Sequence, residues 1–159
     1  MTSTAHALVG AVIAVHFQNL ALAAPLALTS HFMMDSIPHW DFGTDWRSRP
    51  KQATAAYAIA ETLFGMSLAW YLFRNSAPAV VLAVCIIVAL LPDWLEAPWY
   101  IFFAHQKQHG TSKHAGIIEK ISYAFYKVPN VFHTKAKLPF GIITQVVTVA
   151  FFLFIFLHG

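Results

Sequence analysis

The chain has 159 residues, 58% of them hydrophobic, with ten Lys or Arg against seven Asp or Glu. At 11% charged residues it carries less than half the charge of an ordinary soluble domain, where roughly a quarter of positions are ionic. A fully water-facing surface is excluded, lipid is the natural solvent, and the single Cys85 rules out an intrachain disulfide framework.

The first apolar stretch covers residues 5–29. Its middle, His16-Phe17-Gln18-Asn19, would put polar groups at the bilayer centre, where they are costly. Either the stretch is one span, or the tetrapeptide is a turn between two shorter helices over 2–17 and 20–35. Turn chemistry at the break in the apolar pattern favours the hairpin. Each arm of about 16 residues reaches about 24 Å, so burial against neighbours or a thinned bilayer is needed. Ala21-Leu22-Ala23 looks like a signal-peptide cleavage site, but no Lys or Arg precedes Arg47, and the stretch reads as mature structure.

Three further stretches approach the roughly 20 residues that cross a hydrocarbon core: 53–73, 77–91 extending towards 103, and 138–157. Segment 104–137 is too polar to span. Ile117, Ile118, Ile121, Phe125 and Val128 recur there at helical spacing, which predicts an interfacial amphipathic helix ended by Pro129-Asn130. Arg47, Arg49, Lys51, Lys107, Lys113, Lys120, Lys127, Lys135 and Lys137 fall on one face of this arrangement and Arg74 on the other. The positive-inside rule places the basic loops in the cytoplasm and the C-terminus outside, and it accounts for the basic patches without nucleic acid. The expected fold is all-α: a single membrane domain over 1–159 with four to five transmembrane or half-spanning helices. Its parts are a hairpin over 2–35, a hairpin over 53–103, a cytoplasmic interfacial segment over 104–137 and a final span over 138–157. Fourteen Phe and five Trp suit its lipid-facing surfaces and interfacial belts.

Folding at Gln18-Asn19 brings His6 and His31 to one membrane level, since each lies twelve residues from the turn. A turn near 75–78 does the same for Glu61 and Asp93. The two hairpins close with comparable phrases, a weak parallel repeat. The richest phrase is His31-Phe32-Met33-Met34-Asp35-Ser36-Ile37-Pro38-His39-Trp40-Asp41-Phe42. His31 and Asp35 share a helix face, Pro38 ends the helix, and His39 and Asp41 follow on the next turn. Two imidazoles and two carboxylates at this spacing can ligate a divalent ion, with Asp45 in support. The plainer reading is polar decoration of a helix end, but ionisable groups at membrane depth are functional by default. Glu61, inside an apolar span, must be neutralised, paired or metal-bound. Asp93 and Glu96 read either as site residues or as a solvated cap after Leu90-Leu91-Pro92. His105 and His109, four apart, lack the Glu of a zinc-protease helix, and with His114 they read as a solvated face. His133 either reaches the site or meets a lipid phosphate.

Thr4-Ala5-His6-Ala7-Leu8-Val9-Gly10, the His31/Asp35/His39/Asp41 phrase and Leu90-Leu91-Pro92-Asp93 resemble the YdjM-like membrane-bound metal-dependent hydrolases of bacterial inner membranes. The resemblance covers the helical region to about Glu96. The chain lacks the His-Arg-Gly-x-x-His phrase of many members, so His105, His109 and His133 are not carried over as ligands. The resemblance implies a divalent metal, zinc first, as one ion or a pair held by His6, His31, Asp35, Asp41 and Asp93. Glu61 or His39 would be the general base, and the substrate a phosphorylated or lipid-derived ester at the cytoplasmic headgroup level. Two other classes fit the same residues: a structural subunit of a homo-oligomer or larger membrane complex, and a proton or ion pathway. Metal content and proton flux separate the three.

Overall fold

The computed structural model describes residues 1–41, 50–104 and 110–158. Its described residues are helical, in the order α1 (Ser3–Phe17), α2 (Leu20–Asp35), α3 (Lys51–Phe73), α4 (Ala79–Pro98), α5 (Ile117–Phe132) and α6 (Phe140–His158). A π-helical turn, Trp99–Phe103, continues α4.

The central element is α1. It packs against α2, α3, α4 and α6, and it is buried nearly all round, through Ala5, His6, Ala7, Val9, Gly10, Ala11, Val12, Ile13 and Ala14. Small side chains make this possible, because in lipid helices associate by close van der Waals approach rather than by hydrophobic exclusion from water. At Gly10 an added Cβ would lie 2.7 Å from the Cys85 carbonyl oxygen and 2.8 Å from the Ala89 Cβ. Glycine is required there for α1 to meet α4.

The turn between α1 and α2 falls in the polar tetrapeptide. Gln18 takes the left-handed conformation at φ 45° and closes α1 with its backbone N–H on the Ala14 carbonyl. The Asn19 side chain then accepts from the Ala21 N–H at 2.9 Å and starts α2.

The segment from α3 to the π turn and the last helix carry the apolar exterior. Lys51–Phe73, Ala79–Phe103 and Phe140–His158 are long and apolar enough to cross a membrane. The 23 residues of α3 reach about 34 Å. Leu63, Phe64, Tyr71 and Leu72 on α3 and Ile143, Val146, Val147, Phe151 and Phe154 on α6 are exposed. That surface is wrong for water and right for acyl chains. At 15 and 16 residues α1 and α2 are shorter, and α1 is buried inside the bundle instead.

Two prolines do not act as breaks. α4 runs through Pro92 to Pro98, so Asp93 and Glu96 stand within a helix and not on a solvated cap. α5 runs through Pro129 to Phe132, where the sequence predicted a stop at Pro129-Asn130. The Asn130 amide bonds both ways there: within α5 it donates to the Tyr126 carbonyl at 2.8 Å, and across to α4 it donates to Glu96 Oε2 at 3.1 Å. α5 is strongly amphipathic. Its outer face exposes Ile117, Ile118, Ile121, Phe125, Val128 and Val131. Its other face meets α4 and the π turn, where Trp99 stacks on Tyr126.

Candidate metal centre

Asp35, the last residue of α2, is buried and meets four imidazoles. Its Oδ1 lies 3.1 Å from His6 Nε2 and 3.6 Å from His39 Nε2. Its Oδ2 lies 3.3 Å from His31 Nε2 and 3.6 Å from His133 Nδ1. The Met1 amino group also contacts Oδ1. Four elements therefore converge: α1 brings His6, α2 brings His31 and Asp35, the strand-like segment after α2 brings His39, and the segment after α5 brings His133.

Each position has a local cause. His31 sits one turn before Asp35 on the same face. His6 arrives because α1 and α2 fold back on each other, and its ring stacks on His31 with centroids 4.0 Å apart. Asp93 comes from the face of α4 that packs on α2, with its Oδ1 3.7 Å from His31 Nε2. His39 and His133, 94 residues apart, are joined by main chain. Thr134 N–H donates to the Asp35 carbonyl at 2.9 Å, His39 N–H to the Thr134 carbonyl at 3.1 Å, and Ala136 N–H to the His39 carbonyl at 2.7 Å. This parallel bridge between His39 and Lys135 stitches the two segments edge to edge.

The imidazole tautomers are constrained. A carbonyl only accepts, so the Nδ1 of His31, 2.8 Å from the Ala89 oxygen, donates its proton there. The Nδ1 of His39 likewise donates to the Ile37 oxygen at 2.8 Å. Both rings are left with Nε2 lone pairs, that of His31 facing Asp35 Oδ2 at 3.3 Å and that of His39 meeting His133 Nε2 at 2.8 Å; outer partners orient metal-ligating histidines in the same way. Among the described residues, His6 Nδ1, His31 Nε2 and Asp35 Oδ2 are buried and make no hydrogen bond. Buried polar atoms without partners are rare and costly, and a cation between His31 Nε2 and Asp35 Oδ2, 3.3 Å apart, would satisfy both.

Asp41 closes the far side. Its Oδ2 is 2.7 Å from His133 Nε2 and 3.5 Å from His39 Nε2, and its Oδ1 is 3.5 Å from Lys135 Nζ. Burial alone would push this carboxyl up. The hydrogen bond from His133 and the Lys135 charge overcome that and hold it well below the usual carboxylate range. It is an ionised carboxylate at neutral pH.

Two ligand groups have donor atoms within 4.8 Å of one another: His6, His31 and Asp93, and Asp35, His39 and His133. Imidazole nitrogen with carboxylate oxygen is a donor set for divalent ions such as zinc. The rim is formed by the more open side chains, Asp93 at 28% exposure and Lys135 at 33%.

Glu61 lies elsewhere. Its two oxygens accept the backbone N–H groups of Ser3 and Thr4, at 2.8 and 2.6 Å. It caps α1 from α3, where a carboxylate also favours the positive end of the helix dipole. Glu61→Gln is expected to lower stability by about 1–2 kcal/mol while bound metal per chain stays unchanged, which thermal unfolding and elemental analysis would check. His114 is exposed before α5. The expectations for Asp45, His105 and His109 fall outside the described residues. The groups that spacing did not single out are Lys135 and the full role of His133. Their one signal was the position of a His and two Lys just before the last span. Comparison with protein-family models, with curated proteins and with solved structures gives no match to this chain.

Proposed function

We propose that this chain is a membrane-embedded, metal-dependent hydrolase of the YdjM-like kind, working in a bacterial inner membrane on a phosphorylated or lipid-derived ester. The observation that carries the reading is the orientation of His31 and His39. Each gives its Nδ1 proton to a backbone carbonyl and turns a lone pair towards a buried carboxylate. A ring held this way can ligate an ion or accept a proton. Zinc suits the nitrogen and oxygen donors. When bound, such an ion lowers the pKa of its water to about 7 and polarises a phosphoryl or carbonyl oxygen.

The residues divide the remaining work. His6, His31, Asp35 and Asp93 hold the ion. Lys135, at the rim, offers its ammonium to a phosphate. Asp41 fixes the His133 ring and draws Lys135 inward. His39 Nε2 can take a proton from a bound water, and its tautomer already suits that role. The exposed apolar face of α5, with Lys113, Lys120 and Lys127 near it in sequence, suits a helix lying in the headgroup layer of an anionic leaflet. That depth would bring a lipid phosphate to Lys135. The positive-inside rule, applied to these basic residues, supports a cytoplasmic side for this face.

The test is purification in detergent, elemental analysis, and hydrolysis of an aryl phosphate and of phosphatidic acid in mixed micelles. Stoichiometric metal, activity abolished by a chelator and restored by zinc, and loss of both metal and activity in His31→Ala are expected. Metal-free protein with neither activity would end the proposal. Bound metal with proton flux in proteoliposomes and no ester cleavage would favour the relay class instead.

A further inference from the structure

We infer that the centre holds two divalent transition ions, bridged by Asp35. This rests on the metal-binding part of the reading above and adds a second ion site and a bridging ligand.

The donors outnumber what one ion takes. Seven side chains converge: His6, His31, Asp93, Asp35, His39, His133 and Asp41. A protein-bound zinc ion takes four ligands, or three and a water. The seven also divide evenly. His6 and His31 form a stacked pair, at 4.0 Å between centroids, and His39 and His133 form a second pair, tilted, at 4.6 Å. Each pair presents one ring nitrogen to each oxygen of Asp35: His6 and His39 to Oδ1, His31 and His133 to Oδ2. Each pair also has its own carboxylate. Asp93 lies against His31, and Asp41 against His39 and His133. The result is two histidine pairs, each with a private carboxylate, around one shared carboxylate.

A single ion takes about four of the seven side chains, and a second ion would take His39 as a ligand in place of its role as proton acceptor. The inward nitrogens of His31 and His39 are both unprotonated in the neutral rings, because both Nδ1 protons are committed to carbonyls. The Met1 amino group contacts Oδ1 alone. Asp35 Oδ2, His31 Nε2 and His6 Nδ1 still make no hydrogen bond. Among the described residues, Asp35 lies within 4 Å of ring nitrogens from both donor groups, which is where a ligand shared by two ions must sit. Two-ion sites of this kind set the metals about 3.5–4 Å apart and stabilise both the attacking and the leaving oxygen of an in-line displacement.

Mn²⁺ is a suitable probe. Full-length protein in detergent, stripped with a chelator and reloaded, is expected to bind two Mn²⁺ per chain and to give the multiline low-temperature spectrum of a spin-coupled pair. His133→Ala and His6→Ala should each bind one ion with the spectrum of isolated Mn²⁺, and Asp35→Asn should lose the coupling. One ion per chain in the wild type, or two ions without coupling, would overturn the pair. Should a variant fail to fold, the wild-type count and spectrum decide alone. A single bound ion leaves the hydrolase reading standing, no ion ends both, and a coupled pair with no esterase or phosphatase activity ends the hydrolase reading only.

Discussion

Asp35→Ala is expected to purify with almost no bound metal, an affinity loss of at least about 100-fold, or ~2.7 kcal/mol. The reason is its position. Among the described residues, no other side chain contacts all four imidazoles, and both of its oxygens are engaged by different rings. Losing a histidine leaves the other donors aimed at a common point. Losing Asp35 removes the group that, among the described residues, joins the His6/His31 pair to the His39/His133 pair. Asp35→Asn is the sharper control, since it keeps the shape and removes the charge. The same change has a stability signature. A ligand present at 100 times its dissociation constant stabilises the folded state by about 2.7 kcal/mol. Wild-type protein should therefore lose thermal stability on chelation and regain it with zinc, while Asp35→Ala should respond to neither. Glu61→Gln, which weakens the α1 cap, should melt lower and still respond to both. A wild type whose unfolding temperature ignores chelator and zinc alike would contradict this account of the cluster.

The parts of this site that rest on local geometry are visible in the sequence. His31 and Asp35 are one helical turn apart, and no tertiary knowledge is needed to place them together. His6 and Asp93 follow from helix lengths about a turn, given that Gln18-Asn19 is where the chain reverses. His133 could not be placed that way. Its approach depends on main-chain bonds between the segments after α2 and α5, which have no periodicity and no apolar pattern. Glu61 illustrates the opposite difficulty. A carboxylate in an apolar helix must find a positive partner, and composition does not distinguish a metal from the N-terminus of a neighbouring helix. Here the backbone N–H groups of Ser3 and Thr4 supply it. The fold was legible where apolar runs decide it, in α3, α4 and α6. It was less so at Pro92 and Pro129, where packing and side-chain bonds carry a helix past a residue that would end it in isolation.

The dependence of His39 on its neighbours leads to a prediction remote from any ligand. Gly141, in the first turn of α6, accepts the Trp40 N–H at 3.2 Å. A Cβ there would stand 2.6 Å from Trp40 N, 2.7 Å from the Ala136 oxygen and 2.9 Å from the His39 carbonyl carbon. All three are backbone atoms, so no side-chain rotation relieves the contact. Gly141→Ala must push α6 away or displace the His39–Trp40 main chain, at an overpacking cost of about 1–3 kcal/mol. The second outcome moves His39 off Asp35 and pulls on the bridge that delivers His133. Gly141→Ala is thus expected to weaken metal binding through the His39/His133 pair and to leave the His6/His31 pair competent. With Mn²⁺ this would appear as a drop from two ions to one, the same result as His133→Ala, although no ligand has changed. Gly10→Ala also overpacks, but between α1 and α4, against the Cys85 oxygen at 2.7 Å and the Ala89 Cβ at 2.8 Å. It should lower stability by a similar amount without that selective loss. If Gly141→Ala binds both ions with wild-type affinity, the bridge does not position His39, and α6 serves only to span.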